Sequence, residues 1–224
     1  MAEVSLLGFG NDEIQERVGW QQRAYAVLEG AHASGALRLH LRKRLDRWPL
    51  DILPGHRVER AIKVLRSLSS SAPPRVWAAV FKTLCNGWVT ARRFQSRGSC
   101  LFGCAAEDSI EHYARCKVVA GFFEKHAGVC PAPGGDKLAE FLGLARSSSQ
   151  LCPHLRGGNE QATLIALRGF ALYALHRSVN ALRRGTICTA EAEQAFKAFL
   201  DGAVKGHANA SSLIQRVRRR SRPQ

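Results

Sequence analysis

Four residues in the segment CLFGCAAEDSIEHYARC, namely Cys100, Cys104, His112 and Cys116, follow the spacing Cys-x3-Cys-x7-His-x3-Cys. Sulfur and imidazole nitrogen in a tetrahedral Cys3His set are zinc ligands, and two closely spaced pairs within a short stretch are how structural zinc sites are built. The spacing dictates the local backbone. The first pair needs a turn, and Gly103 lets the chain fold back so that both sulfurs face one point. The second pair is four residues apart, which on a helix puts both side chains on one face. Asp108 or Ser109 caps that helix, with Glu111 at the reciprocal capping-box position if Asp108 is the cap.

Buried free thiols and disulfides are the competing readings of such cysteines. The opening segment MAEVSLLGFGNDEIQER lacks a basic n-region, has too short an apolar run and meets acidic residues at once, so it does not read as a secretory signal. The chain has 7 cysteines, an odd number. A reduced intracellular compartment favours metal over disulfide. The expected cofactor is therefore a structural Zn2+, since four protein donors leave no open position for a catalytic water.

With 33 Lys+Arg against 18 Asp+Glu, the formal charge is +15. Such an excess points to a polyanionic partner, RNA or DNA, ahead of generic solubility or a membrane surface. Three thiolates and one zinc ion together change this balance by only about one unit, so the positive field survives metal binding. No uninterrupted apolar run reaches the roughly 18–20 residues that cross a bilayer. The nearest candidate, from Ala162 to Ala174, contains Arg168 and reads as a buried helix.

Periodicity places helices along most of the chain. Asn11 caps a first one carrying Ile14, Val18, Tyr25 and Leu28. A second, basic and amphipathic, carries Leu37, Leu41, Leu45 and Trp48 and stops at Pro49. A third starts near Pro54 with Val58, Ile62, Leu65 and Leu68, and is expected to break at Ser69-Ser70-Ser71-Ala72-Pro73-Pro74, a linker by composition. From Pro74 a fourth carries Val76, Trp77, Val80, Phe81 and Leu84, an aromatic stripe that reads as core.

Beyond the cysteine segment, residues 118–125 continue as helix. A short helix follows around Leu138, Phe141 and Leu142, and then a long one opens at Asn159 and holds its period to Gly185. Thr189 is the expected cap of the next, with Phe196, Phe199 and Leu200 inward. Strand signals are sparse. The expected architecture is all-α, helical bundles with a small Cys3His zinc knuckle. It comprises an amino-terminal helical region (1–70), a helix plus knuckle (74–130), a carboxy-terminal helical region (135–215) and a basic tail (216–224). That tail, with Arg218, Arg219 and Arg220, reads as an arm on a polyanion or as a nuclear-import signal, and favours the nucleus over the cytoplasm.

Taken as a unit, VWAAVFKTLCNGWVTARRFQSRGSCLFGCAAEDSIEHYARC resembles the zinc-binding region downstream of the polymerase in non-LTR retrotransposon reverse transcriptases. The resemblance covers about residues 74–117. It comprises a helix and turn, the Gly87 to Arg93 segment, a cysteine pair, an acidic loop at Glu107 and Asp108, and the closing His112 and Cys116. Leu101-Phe102-Gly103 puts three residues where the family commonly has two, and Ser109 stands at the position of the family's glutamate. The resemblance implies a fragment of a retroelement polyprotein.

Polymerisation needs clustered carboxylates to hold two divalent ions. The 6 aspartates, Asp12, Asp46, Asp51, Asp108, Asp136 and Asp201, include no adjacent pair. A GxxxxGK phosphate loop and a His-Glu-x-x-His helix are likewise missing from the sequence. A non-catalytic nucleic-acid-binding module is the expected function, with Arg92, Arg93 and Arg97 beside the metal site and the tail arginines meeting phosphates. A zinc-stabilised protein-interaction module is the alternative. Cys85, Cys130, Cys152 and Cys188 lie outside the set. Cys130 with Cys152 and His154 lacks a second close pair, and these thiols read as loop or core residues.

Overall fold

A computed structural model describes residues 35–130, 135–145, 150–151, 160–208, 210–212 and 214–215. The expected first helix from Asn11, the Asn159 cap, Cys152, His154 and the arginines of the tail lie outside the described residues. What is described is mostly helical and carries a Cys3His cluster.

Helix α1 (Gly35–Leu45) buries Leu37, Leu41 and Leu45 along one stripe, and Trp48 continues it just past the helix end. The indole of Trp48 donates to the Leu84 carbonyl at 2.9 Å. The carbonyls at the end of α1 and beyond it are collected by one side chain. The Arg57 guanidinium donates to Leu45, Trp48, Leu50 and Ile52, satisfying backbone acceptors that the helix end leaves open.

Helix α2 (Pro54–Ser71) starts with proline at its first turn, where the missing N–H costs nothing, and buries Val58, Ile62, Leu65 and Leu68. The linker expected at Ser69–Pro74 is corrected here. The helix runs through all three serines, whose hydroxyls donate to carbonyls three or four residues back, Ser69 to Arg66 and both Ser70 and Ser71 to Ser67. Such back-bonding keeps a serine run helical when the rest of the helix is held by packing. Extended backbone is confined to Ala72 and Pro73, both buried, before α3 (Pro74–Leu84) begins. Val76, Trp77 and Val80 of α3 enter the core, and Trp77 and Phe81 stack at 5.2 Å, so the aromatic stripe is packing.

After the cluster segment, which holds the one-turn α4 (Ile110–Tyr113), the chain forms α5 (Lys117–Phe122) and a wider π turn, Phe123–Ala127. A two-residue strand β1 (Val129–Cys130) pairs antiparallel with β2 (Gln150–Leu151), and α6 (Lys137–Phe141) lies between them in sequence, capped by Asp136. Helix α7 (Glu160–Arg183) is the axis of the molecule. Leu164, Leu167, Phe170, Ala171, Leu172, Leu175 and Val179 are all buried, so it is apolar nearly all round, as a central helix must be. It ends in a left-handed Gly185, with Thr186 N–H on the Ala181 carbonyl and Gly185 N–H on that of Leu182.

Helix α8 (Ala192–Val204) packs along α7 and buries Phe196 and Leu200. Its entry turn is capped by Cys188 rather than the expected Thr189: the Cys188 N–H meets the Glu191 carboxylate at 2.8 Å in a capping box. Thr189 instead donates to the Leu101 carbonyl at 3.3 Å, tying this turn to the cluster segment. One contiguous set of buried residues runs from Leu37 to Ile214, drawing on all three expected helical regions.

Candidate metal centre

The segment folds back on itself before it reaches α4. Ser99 bridges to Glu107, Cys100 N–H donates to the Ala106 carbonyl at 2.8 Å, and Gly103 closes the turn at φ +83°. That left-handed value is one only glycine adopts without strain, so Gly103 plays the part its position implied. At the other end, Ser109 caps α4 and its hydroxyl accepts the His112 N–H at 3.1 Å. Between the two candidate caps, serine is the one used.

These two local folds bring together all four expected ligands. The sulfurs of Cys100, Cys104 and Cys116 and a ring nitrogen of His112 all lie within 4.8 Å of one another. Cys104 and Cys116 sulfurs are 3.5 Å apart. Two thiolates on one tetrahedral ion with bonds of about 2.3 Å sit about 3.8 Å apart, so the set fits a single ion closely. His112 Nε2 is buried and has no hydrogen-bond partner among the described residues. A buried ring nitrogen is normally satisfied, and coordination of a metal would satisfy it here.

Protonation also suits this chemistry. Burial holds the His112 imidazole below its ordinary value, against the pull of Asp108, which keeps it neutral as a ligand must be. Burial pushes the Cys100 thiol up to about 12, and the Cys116 thiol also rises, chiefly by burial. Backbone N–H groups oppose this, from Phe102 and Cys104 on Cys100 and from Val118 and Val119 on Cys116. A metal binding here therefore displaces protons, and its thiolates find backbone donors already aimed at them.

Around the sulfurs stands an aromatic wall. Phe102 packs edge-on against Tyr113 at 5.7 Å and Phe122 at 5.8 Å, and Trp88 lies 6.0 Å from Tyr113. Beside it sits the residue that sequence reasoning undervalued. Asp108 is 1% exposed, and its carboxylate accepts from Ala91 N–H at 2.8 Å, from Arg183 Nη2 at 2.6 Å and from the Tyr113 hydroxyl. Tyr113 stays protonated as the donor, its phenol pushed upward by burial and by that carboxylate. Asp108 thus binds three pieces of chain: the turn before the cluster, the ligand helix and the end of α7.

The arginines before the cluster lie on a turn held at both ends. Arg92–Phe94 form a single 3-10 turn, closed by Gln95 in a left-handed conformation at φ +53°. Arg92 is exposed and faces Glu107 at 3.6 Å and Glu111 at 3.4 Å. Arg93 donates to the Trp88 carbonyl at 3.3 Å, and its guanidinium lies 5.7 Å from the centre of the Phe94 ring. Arg97 is exposed and has no ion pair among the described residues.

Of the remaining thiols, Cys85 is buried, and burial raises its thiol to about 11, which makes it a poor nucleophile. Cys130 is half-buried and Cys188 exposed. Among the described residues no helix is long and apolar enough to cross a membrane. No family model, curated protein or solved structure matches the chain.

Proposed function

We propose that the chain is a non-catalytic nucleic-acid-binding module held together by a structural zinc ion. The observation that carries the zinc half is the convergence of three sulfurs on a buried, unpartnered His112 Nε2, the ligand chemistry that zinc prefers. Four donors complete the coordination, so the ion organises residues 99–116 and leaves no site for a reacting water. The nucleic-acid half rests on the formal charge of +15 and on the arginine turn that Asp108 fixes beside the cluster. The resemblance of residues 74–117 to the zinc-binding region of retroelement reverse transcriptases points the same way, towards a fragment of such a polyprotein that works in the nucleus.

Elemental analysis of the purified protein is expected to find one zinc per chain, and Cys104→Ser is expected to lose it. A zinc-free wild-type protein that melts like the untreated sample would end the metal assignment. Binding to labelled RNA and DNA is expected to weaken steeply along a salt series, because counterions are released from each neutralised phosphate. A flat salt response or no binding at near-physiological salt would instead favour the protein-interaction reading.

A further inference from the structure

From Arg60 to Ala106 the chain holds 8 basic residues and no acidic one. This stretch delivers one aromatic ring to the surface at its most arginine-rich point. Phe94 is 61% exposed, whereas the aromatics around the cluster, Trp88, Phe102, Tyr113 and Phe122, are all buried and belong to the core.

An exposed apolar residue is common and by itself means little. Among the described residues the other large exposed apolar side chains are Leu39, Leu53, Val89 and Val118, so Phe94 is the aromatic one among them, and its backbone is held in a tight turn. Phe94 N–H donates to the Ala91 carbonyl at 3.1 Å, Gln95 N–H to Arg92 at 3.1 Å and Ser96 N–H to Ala91 at 2.9 Å. Arg93 N–H reaches the Thr90 hydroxyl at 3.3 Å. The base of the turn is clamped by the Ala91 N–H on the Asp108 carboxylate and the Arg92 N–H on its carbonyl, while Asp108 N–H returns to Gly98. Gly98 itself tolerates no side chain, because a Cβ there would lie 2.9 Å from that of Ala91. A rigid turn therefore presents a bare ring with Arg93 at its face and Arg97 close by in sequence.

Resting on the nucleic-acid reading above, we infer that Phe94 is a stacking platform for an unpaired base, so that the module prefers single-stranded RNA or DNA over duplex. A flat π-face flanked by guanidinium groups recognises a base by stacking and its phosphates by charge, without reading sequence. In a duplex the bases are already stacked on one another, and only the charge remains available. Pre-ordering of the ring means that little conformational freedom is lost on binding.

Fluorescence anisotropy with the whole zinc-loaded protein tests this. Four probes of equal phosphate number serve: single-stranded RNA, single-stranded DNA, an abasic single strand and a DNA duplex. Phe94→Ala is expected to weaken binding to both base-bearing single strands about tenfold, to leave duplex and abasic affinities unchanged, and to keep the salt slope. Phe94→Trp should retain or tighten single-strand binding. A loss confined to one of RNA or DNA identifies the preferred strand and still supports stacking. Wild-type affinity of Phe94→Ala for every probe would overturn the stacking platform while leaving nucleic-acid binding intact. Failure of the wild type to bind any probe would overturn both. Phe94 is exposed, so unchanged melting of the variants is expected and checks that folding is not the cause.

Discussion

Thr83 connects the helix before the cluster to the indole beneath it. Its fully buried hydroxyl donates to the Ala79 carbonyl at 2.8 Å and accepts from Trp88 Nε1 at 3.0 Å. Thr83→Val keeps the shape and orphans the indole N–H, at a cost of about 1–3 kcal/mol measurable by denaturant titration. His176 packs against Trp88, 5.2 Å between ring centres, and burial with repulsion from Lys82 and Arg177 lowers its imidazole to about 4. It is neutral in the fold yet titrates near 6.5 when unfolded. Its contribution is fully present above pH 6.5 and is lost as pH falls towards 4, because the unfolded chain takes up the proton first. The loss is on the order of 3 kcal/mol by pH 4. Acid also releases a thiolate-bound metal, so the stability difference between wild type and His176→Gln at each pH isolates the histidine.

At the level of elements, α7 meets α2 and α3 tightly at Gly169. A Cβ on Gly169 would lie 2.6 Å from Leu68 Cδ2 and 3.4 Å from Val76 Cγ1, in a core where both neighbours are fully buried. Gly169→Ala is therefore expected to destabilise by about 1–3 kcal/mol despite alanine's better helix propensity, read as a lower denaturation midpoint. Periodicity made most of these helices legible: Leu37, Leu41 and Leu45, then Val58, Ile62, Leu65 and Leu68, sit on the buried stripes that their spacing predicts. Misreadings arose where local composition competed with packing. Ser69–Ser71 look like a linker because serine favours turns, but their hydroxyls return to the helix and the apolar face of α2 holds them there. Cys188 displaced Thr189 as a cap because Glu191 reaches back to its N–H, and cysteine is a rare enough cap that composition did not flag it.

Across the whole molecule, the convergence of Cys100, Cys104, His112 and Cys116 was legible because the geometry that brings them together is local: Gly103, Ser109 and the four-residue spacing act within one short segment. The setting of that segment was not legible. Asp108 reads as a helix cap until Arg183, 75 positions away, is found on its carboxylate. Chelation tests how far the metal's influence extends. Removing it is expected to red-shift the emission of Trp88, which stands 6.0 Å from Tyr113, while far-UV helicity falls little, since most of the shared core is supplied by helices outside the cluster segment. Global loss of helicity on chelation would mean that the metal holds the entire chain.

The contrast between short and long closures also bears on assembly order. Ligands spaced by three, seven and three residues close in fast, local steps, whereas the Asp108–Arg183 pair must wait for the end of α7. On the ribosome all four ligands are synthesised before α7. A metal captured by the nascent segment would preform the surface on which that helix later docks, so metal present from the start of refolding is expected to speed the docking of α7 relative to metal added afterwards.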